Sequence, residues 1–167
     1  QIRNWNMEFI QGDILDKNLI KKYCTDADVV HHLAGVTAVP RTKSESSQTQ
    51  DEKIKEVGEK GTQNILEVIS DKCKIIFPST HVVYEGINEV KKDIKESEAT
   101  KPVLSYSTSK AINEEQLKES GKNYVILRLG SVYGYSTDSM RIDIMPNLFS
   151  KIASQDGTLK LFAGGRQ

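Results

Sequence analysis

Cysteine is scarce in this 167-residue chain: Cys24 and Cys73 stand alone, with no C-x-x-C spacing and no His/Cys cluster. That argues against a disulfide framework and a zinc site and fits a reducing cytoplasm, where each thiol reads as a small buried apolar residue. A surplus of one charge sign is also lacking. The 23 basic and 23 acidic residues balance, so nothing electrostatic draws the chain to nucleic acid or an anionic membrane, and small molecules or proteins are the expected partners. No apolar run approaches the roughly 20 residues that a membrane-spanning helix needs. The opening Gln1-Ile2-Arg3-Asn4-Trp5-Asn6 has no apolar core of a signal peptide, so the chain reads as soluble. Internal repeats, low-complexity tracts and linkers are missing as well, which leaves one domain. His31, His32 and His81 have no ligand spacing, and no metal is expected. The chain starts without methionine and stops at Gly164-Gly165-Arg166-Gln167 with no closing element, so a fragment is expected.

What is present alternates. Short strands are expected at Met7–Gln11, Asp28–Leu33, Lys74–Phe77, Tyr124–Arg128 and Leu159–Phe162. Helices are expected from about Asp16 to Cys24, Asp51 to Ser70, Ser105 to a glycine stop at Gly121, and Ile142 to Ala153. A polar stretch, Arg41 to Gln50, and a long charged loop, Glu85 to Val103, lie between them. Alternating strands and helices predict an α/β fold, a parallel sheet covered on both faces, with any site at the carboxyl ends of its strands. The residues that follow successive strands are Gly12-Asp13, Ala34-Gly35, Ser79-Thr80 and Gly130-Ser131. Small, hydroxylated or acidic residues of this kind let a ligand approach the backbone, although turns favour the same residues.

The sharpest chemical signal is Tyr106-Ser107-Thr108-Ser109-Lys110. Four residues make one helical turn, which puts phenol and ammonium on one face. A positive charge about 4 Å from a phenol is worth roughly 4 kcal/mol at an effective dielectric of ~20, or about three pKa units, enough to bring a tyrosine from ~10 toward neutrality. A phenol poised there serves general acid–base catalysis. The alternative for the pair alone is a surface tyrosine beside a solvated lysine.

Four segments carry a resemblance: Asp28-Val29-Val30-His31-His32-Leu33-Ala34-Gly35, Pro78-Ser79-Thr80-His81-Val82-Val83-Tyr84, Tyr106 to Lys110, and Leu127-Arg128-Leu129-Gly130-Ser131-Val132-Tyr133-Gly134. In this order the chain resembles the extended short-chain dehydrogenase/reductases, and more narrowly the NAD-dependent epimerase/dehydratase family that modifies nucleotide sugars. The resemblance implies a Rossmann-type doubly wound parallel sheet, incomplete at the N-terminus. Residues 1–135 would be a partial NAD(P)-binding domain and residues 136–167 the start of a small substrate-binding lobe. It implies NAD as cofactor, with NADP open, a nucleotide-sugar substrate, and a homodimer of the full-length protein through helices at 51–69 and 105–120.

Position by position, the resemblance implies that Asp13 and Ile14 contact the adenine, and that Leu33, Ala34 and Gly35 pass beneath the dinucleotide. Pro78 and Ser79 would lie near the nicotinamide. Thr80 would bond the substrate hydroxyl, Tyr106 would be the acid–base group and also contact the cofactor, and Lys110 would bond the nicotinamide ribose and hold the phenol's pKa down. Leu129 would sit by the carboxamide and Ser131 by the substrate. Asp143 and Ile144 stand where a substrate-binding Asn-Leu is often found.

Departures narrow the chemistry. His81 and Val82 replace the Asp-Glu pair with which family dehydratases eliminate water, so epimerisation or simple oxidoreduction gains over dehydration. Gly58 stands where the family often has asparagine, Glu85 where it usually has glycine after Tyr84, and Ser131 where asparagine is common. The glycine-rich turn that binds the pyrophosphate does not precede Met7, so the 167-residue chain alone is expected to bind NAD poorly and to be inactive. Three readings stay open: an NAD-dependent nucleotide-sugar epimerase, an NAD(P)-dependent carbonyl or sugar reductase or dehydratase of the same scaffold, and a non-catalytic dinucleotide sensor.

Overall fold

The computed structural model describes residues 6–36, 47–137 and 140–161. Trp5, Phe162 and most of the polar stretch from Arg41 lie outside them. Two compact units divide the chain, Gln1–Arg128 and Leu129–Gln167.

In the first unit, helix α1 (Lys17–Cys24) starts where Asp16 accepts the amides of Asn18 and Leu19 at 3.0 and 3.1 Å, and it ends with Lys21 and Lys22 in its last turn. Both features suit the helix dipole. Strand β1 (Val29–His31) pairs in parallel with β2 (Lys74–Thr80), with Val29 opposite Lys74 and His31 opposite Ile76. Strand β3 (Asn123–Leu129) completes a parallel sheet of order β1–β2–β3. This is the order taken by strands four to six of a doubly wound sheet, as the Rossmann-type expectation required. The core lies on β2, where Ile75 and Phe77 pack with Ile65, Ile69, Cys73 and Leu117.

The chain crosses from β1 to β2 through a helical run that the sequence marks as one helix. It consists of α2 (Gln48–Lys55), a π-turn (Glu56–Lys60) and α3 (Gly61–Val68). A π-turn widens the backbone and frees carbonyls. Here Gly58 O accepts Thr62 Oγ1 at 2.7 Å and Asn113 Nδ2 at 3.1 Å, while Glu59 O accepts Gln116 Nε2 at 3.1 Å. Helix α4 (Ser105–Glu119) comes so close that a Cβ at Gly58 would sit 2.3 Å from Ser109 Oγ. The glycine where the family often has asparagine is thus the contact point between the crossing helix and α4. Gly121, at φ 68, stops α4 as expected.

Strand β2 hands over to α4 through a 3₁₀ turn (His81–Tyr84) and the charged loop, where Lys91 pairs with Glu98 at the surface. In the second unit, α5 (Met145–Ser154) starts three residues later than expected, with Pro146 in its first turn.

Two strand expectations are corrected. Met7–Gln11 forms no strand among the described residues, with Phe9 88% exposed, and residues 158–161 form none either, with Leu161 62% exposed. A strand exists only through its partner, and neither segment has one among the described residues. Helices flank the parallel sheet as expected, and among the described residues part of it stays open to solvent. Val29, Val125, Leu127 and Leu129 remain exposed.

Candidate active site

The residues expected at the nicotinamide end gather at the carboxyl end of β2 and on α4. Tyr106, Lys110 and Glu114 follow one another at one-turn intervals on α4, and all are wholly or partly buried. Lys110 Nζ donates to Pro78 O at 2.8 Å and lies 4.3 Å from the centroid of the Phe77 ring. Ser79 Oγ donates to Glu114 Oε1 at 2.6 Å. Thr80, the last residue of β2, accepts the amide of Val82 at 3.3 Å and so starts the 3₁₀ turn. Helix α4 is therefore pinned to β2 at two consecutive residues, Pro78 and Ser79, immediately before Thr80.

Glu114 is the residue that the sequence reading missed. Its carboxylate is 1% exposed and takes Arg128 Nη2 at 2.6 Å and Nε at 3.0 Å besides Ser79. Arg128 also donates to Tyr84 Oη, and to Glu96 O at 2.9 Å. Burial pushes the Glu114 carboxyl up, but the hydrogen bonds from Arg128 and Ser79 outweigh it and leave the group below its ordinary range.

The electrostatics of the pair differ from the expectation. Lys110 Nζ is 6.0 Å from the Tyr106 ring centroid and is engaged with Pro78. Burial pushes the Tyr106 phenol up rather than down. Burial also pushes Lys110 down, to about 8. The lysine thus spends its nearest contacts on a carbonyl and an aromatic face, and in the chain by itself the phenol is a protonated acid at neutral pH.

Behind Lys110 lies His32, 3% exposed and tilted against Phe77 at 5.4 Å between ring centroids. Its Nε2 is 2.8 Å from Thr62 Oγ1. Because Thr62 gives its single hydroxyl proton to Gly58 O, Nε2 must be the protonated nitrogen, and Nδ1 is a buried acceptor without a partner among the described residues. Burial first, and the Lys110 charge second, push His32 down to about 4. The neutral ring adds no repulsion to the lysine.

The adenine-side residues lie elsewhere. Asp13, Ile14, Leu33 and Ala34 line a cavity of about 570 Å³ with Gly12 and Tyr23, a size suited to small-molecule sites. Asp13 Oδ1 already accepts the Leu15 amide at 2.9 Å. Gly35 is exposed, and a Cβ there would meet nothing within 4 Å. Leu129, Ser131, Asp143 and Ile144 belong to the second unit, where Asp143 pairs with Arg141 at 2.7 Å and Ile144 precedes α5. Among the described residues no cluster of His, Cys, Asp or Glu could hold a metal, and no helix is long and apolar enough to cross a membrane.

The sequence matches the NAD dependent epimerase/dehydratase family over residues 1–167. The chain belongs to that family. The resemblance carried by the four segments is borne out. CDP-paratose 2-epimerase of Salmonella typhi is 33% identical over 77% of the chain and 44% of its own length. UDP-N-acetyl-alpha-D-glucosaminuronate decarboxylase of Bacillus cytotoxicus is 29% identical over 97% of the chain and 51% of its length. UDP-glucuronic acid 4-epimerase from Bacillus cereus, solved with UDP-glucuronic acid and NAD, matches at a TM-score of 0.74 and 28% identity, over 99% of this chain and 51% of that one. The chain spans about half the length of these relatives. Their reactions differ, so family membership fixes the scaffold and leaves the reaction to the site.

The Lys110 environment yields a test. A lysine titrates near ~10.4 when unfolded, so a folded value of about 8 means that the fold bears a penalty for the ammonium at every pH below about 8. Stability should then rise as pH climbs from about 8 to ~10.4, where the unfolded state alone still holds the proton. Lys110→Met is expected to stabilise the cofactor-stripped whole protein by about 2 kcal/mol at neutral pH, after allowance for partial exposure, and to remove that rise. Urea midpoints measured from pH 7 to 10.5 check both.

Proposed function

We propose that the whole protein epimerises a nucleotide sugar through a transient keto intermediate, with NAD as cofactor, Tyr106 as the acid–base group and Thr80 and Lys110 as its catalytic partners. The observation that carries this reading is the Lys110–Pro78 bond, which fixes the Tyr106 helix to the end of β2 where Thr80 stands. The cavity lined by Asp13, Ile14, Leu33 and Ala34, at the carboxyl end of β1, suits part of a dinucleotide. When bound, NAD supplies the acceptor and donor of hydride. With its phenol ionised in the loaded protein by the positive charges of Lys110 and of bound NAD, Tyr106 would take the proton of the sugar hydroxyl as the carbon is oxidised and return it when the ketone is reduced from the other face. Thr80 orients the reacting oxygen. Lys110 supplies a positive charge that is in place at neutral pH and lost above about 8 in the cofactor-free chain.

Pro78 and Ser79 would border the nicotinamide, and Leu33, Ala34 and Gly35 would pass beneath the dinucleotide. Leu129, Ser131, Asp143 and Ile144 would serve the carboxamide and the sugar, with residues 1–135 binding the cofactor and residues 136–167 opening the substrate lobe. A cytoplasmic homodimer of the whole protein is part of the same reading. His81 and Val82, in place of an acid pair, favour epimerisation over dehydration.

Cofactor stoichiometry tests the reaction. Whole protein loaded with NAD and given UDP-glucuronic acid or UDP-glucose should accumulate the epimer, while absorbance at 340 nm stays below one reduced cofactor per site. Formation of one NADH per keto product released would instead establish a stoichiometric oxidoreductase.

A further inference from the structure

We propose that Glu85 is a positioning residue, one that holds the Thr80 turn and the Tyr106 helix in register. The inference rests on the function proposed above and adds to it a residue at a position where the family usually has glycine. Helix α4 begins without a cap of its own, because Leu104 at its N-cap has no side chain able to accept an amide. Glu85 ties the start of the helix from outside instead. Its Oε1 accepts Val103 N at 2.8 Å and Leu104 N at 2.7 Å, and it also bonds Ser107 Oγ. Both amides lie just before Ser105, the first residue of α4, so the carboxylate sits at the positive end of the helix, where the dipole favours it.

The place from which Glu85 reaches matters as much as what it reaches. It follows the 3₁₀ turn that starts at Thr80. The same corner is laced by backbone bonds from Lys101 N to Val83 O at 2.7 Å and from Gly86 N to Lys101 O at 2.8 Å. Gly86 permits this, since a Cβ there would meet Lys101 O at 2.5 Å. The main chain thus sets the corner, and the Glu85 carboxylate carries its position to Ser107, the neighbour of Tyr106. Thr80 lies at one end of this link and Tyr106 at the other. Reacting groups displaced by about 1 Å can lose ~100-fold in rate, so a link that fixes their spacing acts on turnover while touching neither substrate nor cofactor.

The test uses the NAD-loaded whole protein with UDP-glucuronic acid as probe. Glu85→Ala should lower kcat by about tenfold or more and leave KM within about twofold. Glu85→Gln, which keeps an oxygen acceptor at the same reach, should recover kcat to within about threefold of wild type. A second readout needs no turnover. The ultraviolet titration of the protein minus that of Tyr106→Phe isolates the Tyr106 phenol. In Glu85→Ala that titration should move down by about half a unit or more, as the first turn of α4 loosens and its positive end loses compensation. An unmoved phenol titration overturns the proposal, and so does a kcat within twofold of wild type. Full turnover in Tyr106→Phe would instead sink the functional reading and leave the titration to decide on Glu85. Should Glu85→Ala not fold, Glu85→Asp, one methylene too short to reach both amides, takes its place in both measurements.

Discussion

Replacing Arg128 with leucine in the whole protein is expected to cost about 3–5 kcal/mol of folding stability, because it strands a buried carboxylate. Glu114 is 1% exposed, and three of its four closest hydrogen bonds come from Arg128, at 2.6, 3.0 and 3.2 Å. Ser79 supplies the fourth, at 2.6 Å. One hydroxyl cannot replace the solvation of an ion, so the variant carries most of the desolvation cost unopposed. The pH dependence carries the sign of the argument. In the wild type Glu114 lies below its ordinary range despite burial. The native state therefore binds fewer protons than the unfolded chain, where glutamate titrates near ~4.3, and this contribution is present above that value and lost as pH falls through the folded one. In Arg128→Leu burial acts almost alone, the carboxyl moves up, and the variant should gain stability relative to wild type on acidification. Urea unfolding between pH 4 and 8 reads both effects. A loss under about 1 kcal/mol, or parallel pH profiles, would show that the pair is weakly coupled. The double replacement Glu114→Leu with Arg128→Leu should recover much of the deficit, since apolar pairs of similar volume often replace buried ion pairs without loss.

The same network marks the limit of what the sequence reveals. Tyr106 and Lys110 are legible because their relation is local: one helical turn places them together whatever the tertiary structure. Thr80 is legible as a strand-end residue because it follows the apolar run Lys74–Phe77, and α/β folds put sites at strand ends, while its role comes from the family resemblance. Glu114 depends on partners 35 residues upstream and 14 residues downstream, Ser79 and Arg128. No local pattern announces such a pairing, although a lone arginine within the apolar run Tyr124–Leu129 needs a counter-charge and was a usable signal. The misread strands fail for the related reason that pairing is a tertiary property: Met7–Gln11 and residues 158–161 have strand-like composition and no neighbour among the described residues. The π-turn at Glu56–Lys60 likewise sits where α4 approaches at Gly58, a tertiary contact, and the helical periodicity on either side conceals it. Spacing gave the Tyr–Lys pair its contact but misjudged its electrostatics, since proximity on a helix face says nothing of the Pro78 carbonyl and the Phe77 ring that engage the ammonium.

Tyr106→Phe isolates the chemistry from that framework. The substitution removes one oxygen and leaves the ring, so the 6.0 Å approach of Lys110 to the ring centroid and the Lys110–Pro78 bond should persist. Folding stability and NAD affinity of the whole protein are therefore expected to stay close to wild type, while kcat for UDP-sugar epimerisation falls by about 100- to 10,000-fold, the range that a positioned acid–base group supplies. Burial already holds the phenol protonated in the chain by itself, so what the phenylalanine lacks is the proton carrier and nothing that the fold or the dinucleotide uses for binding. Calorimetry with NAD and steady-state kinetics on the same preparation separate the two quantities. Turnover retained with binding intact would assign the proton to another group and favour a dinucleotide sensor. Turnover and binding lost together would place the phenol in the cofactor site rather than at the reacting carbon, since an acid–base group acts on the barrier and leaves the ground-state complex largely as it was.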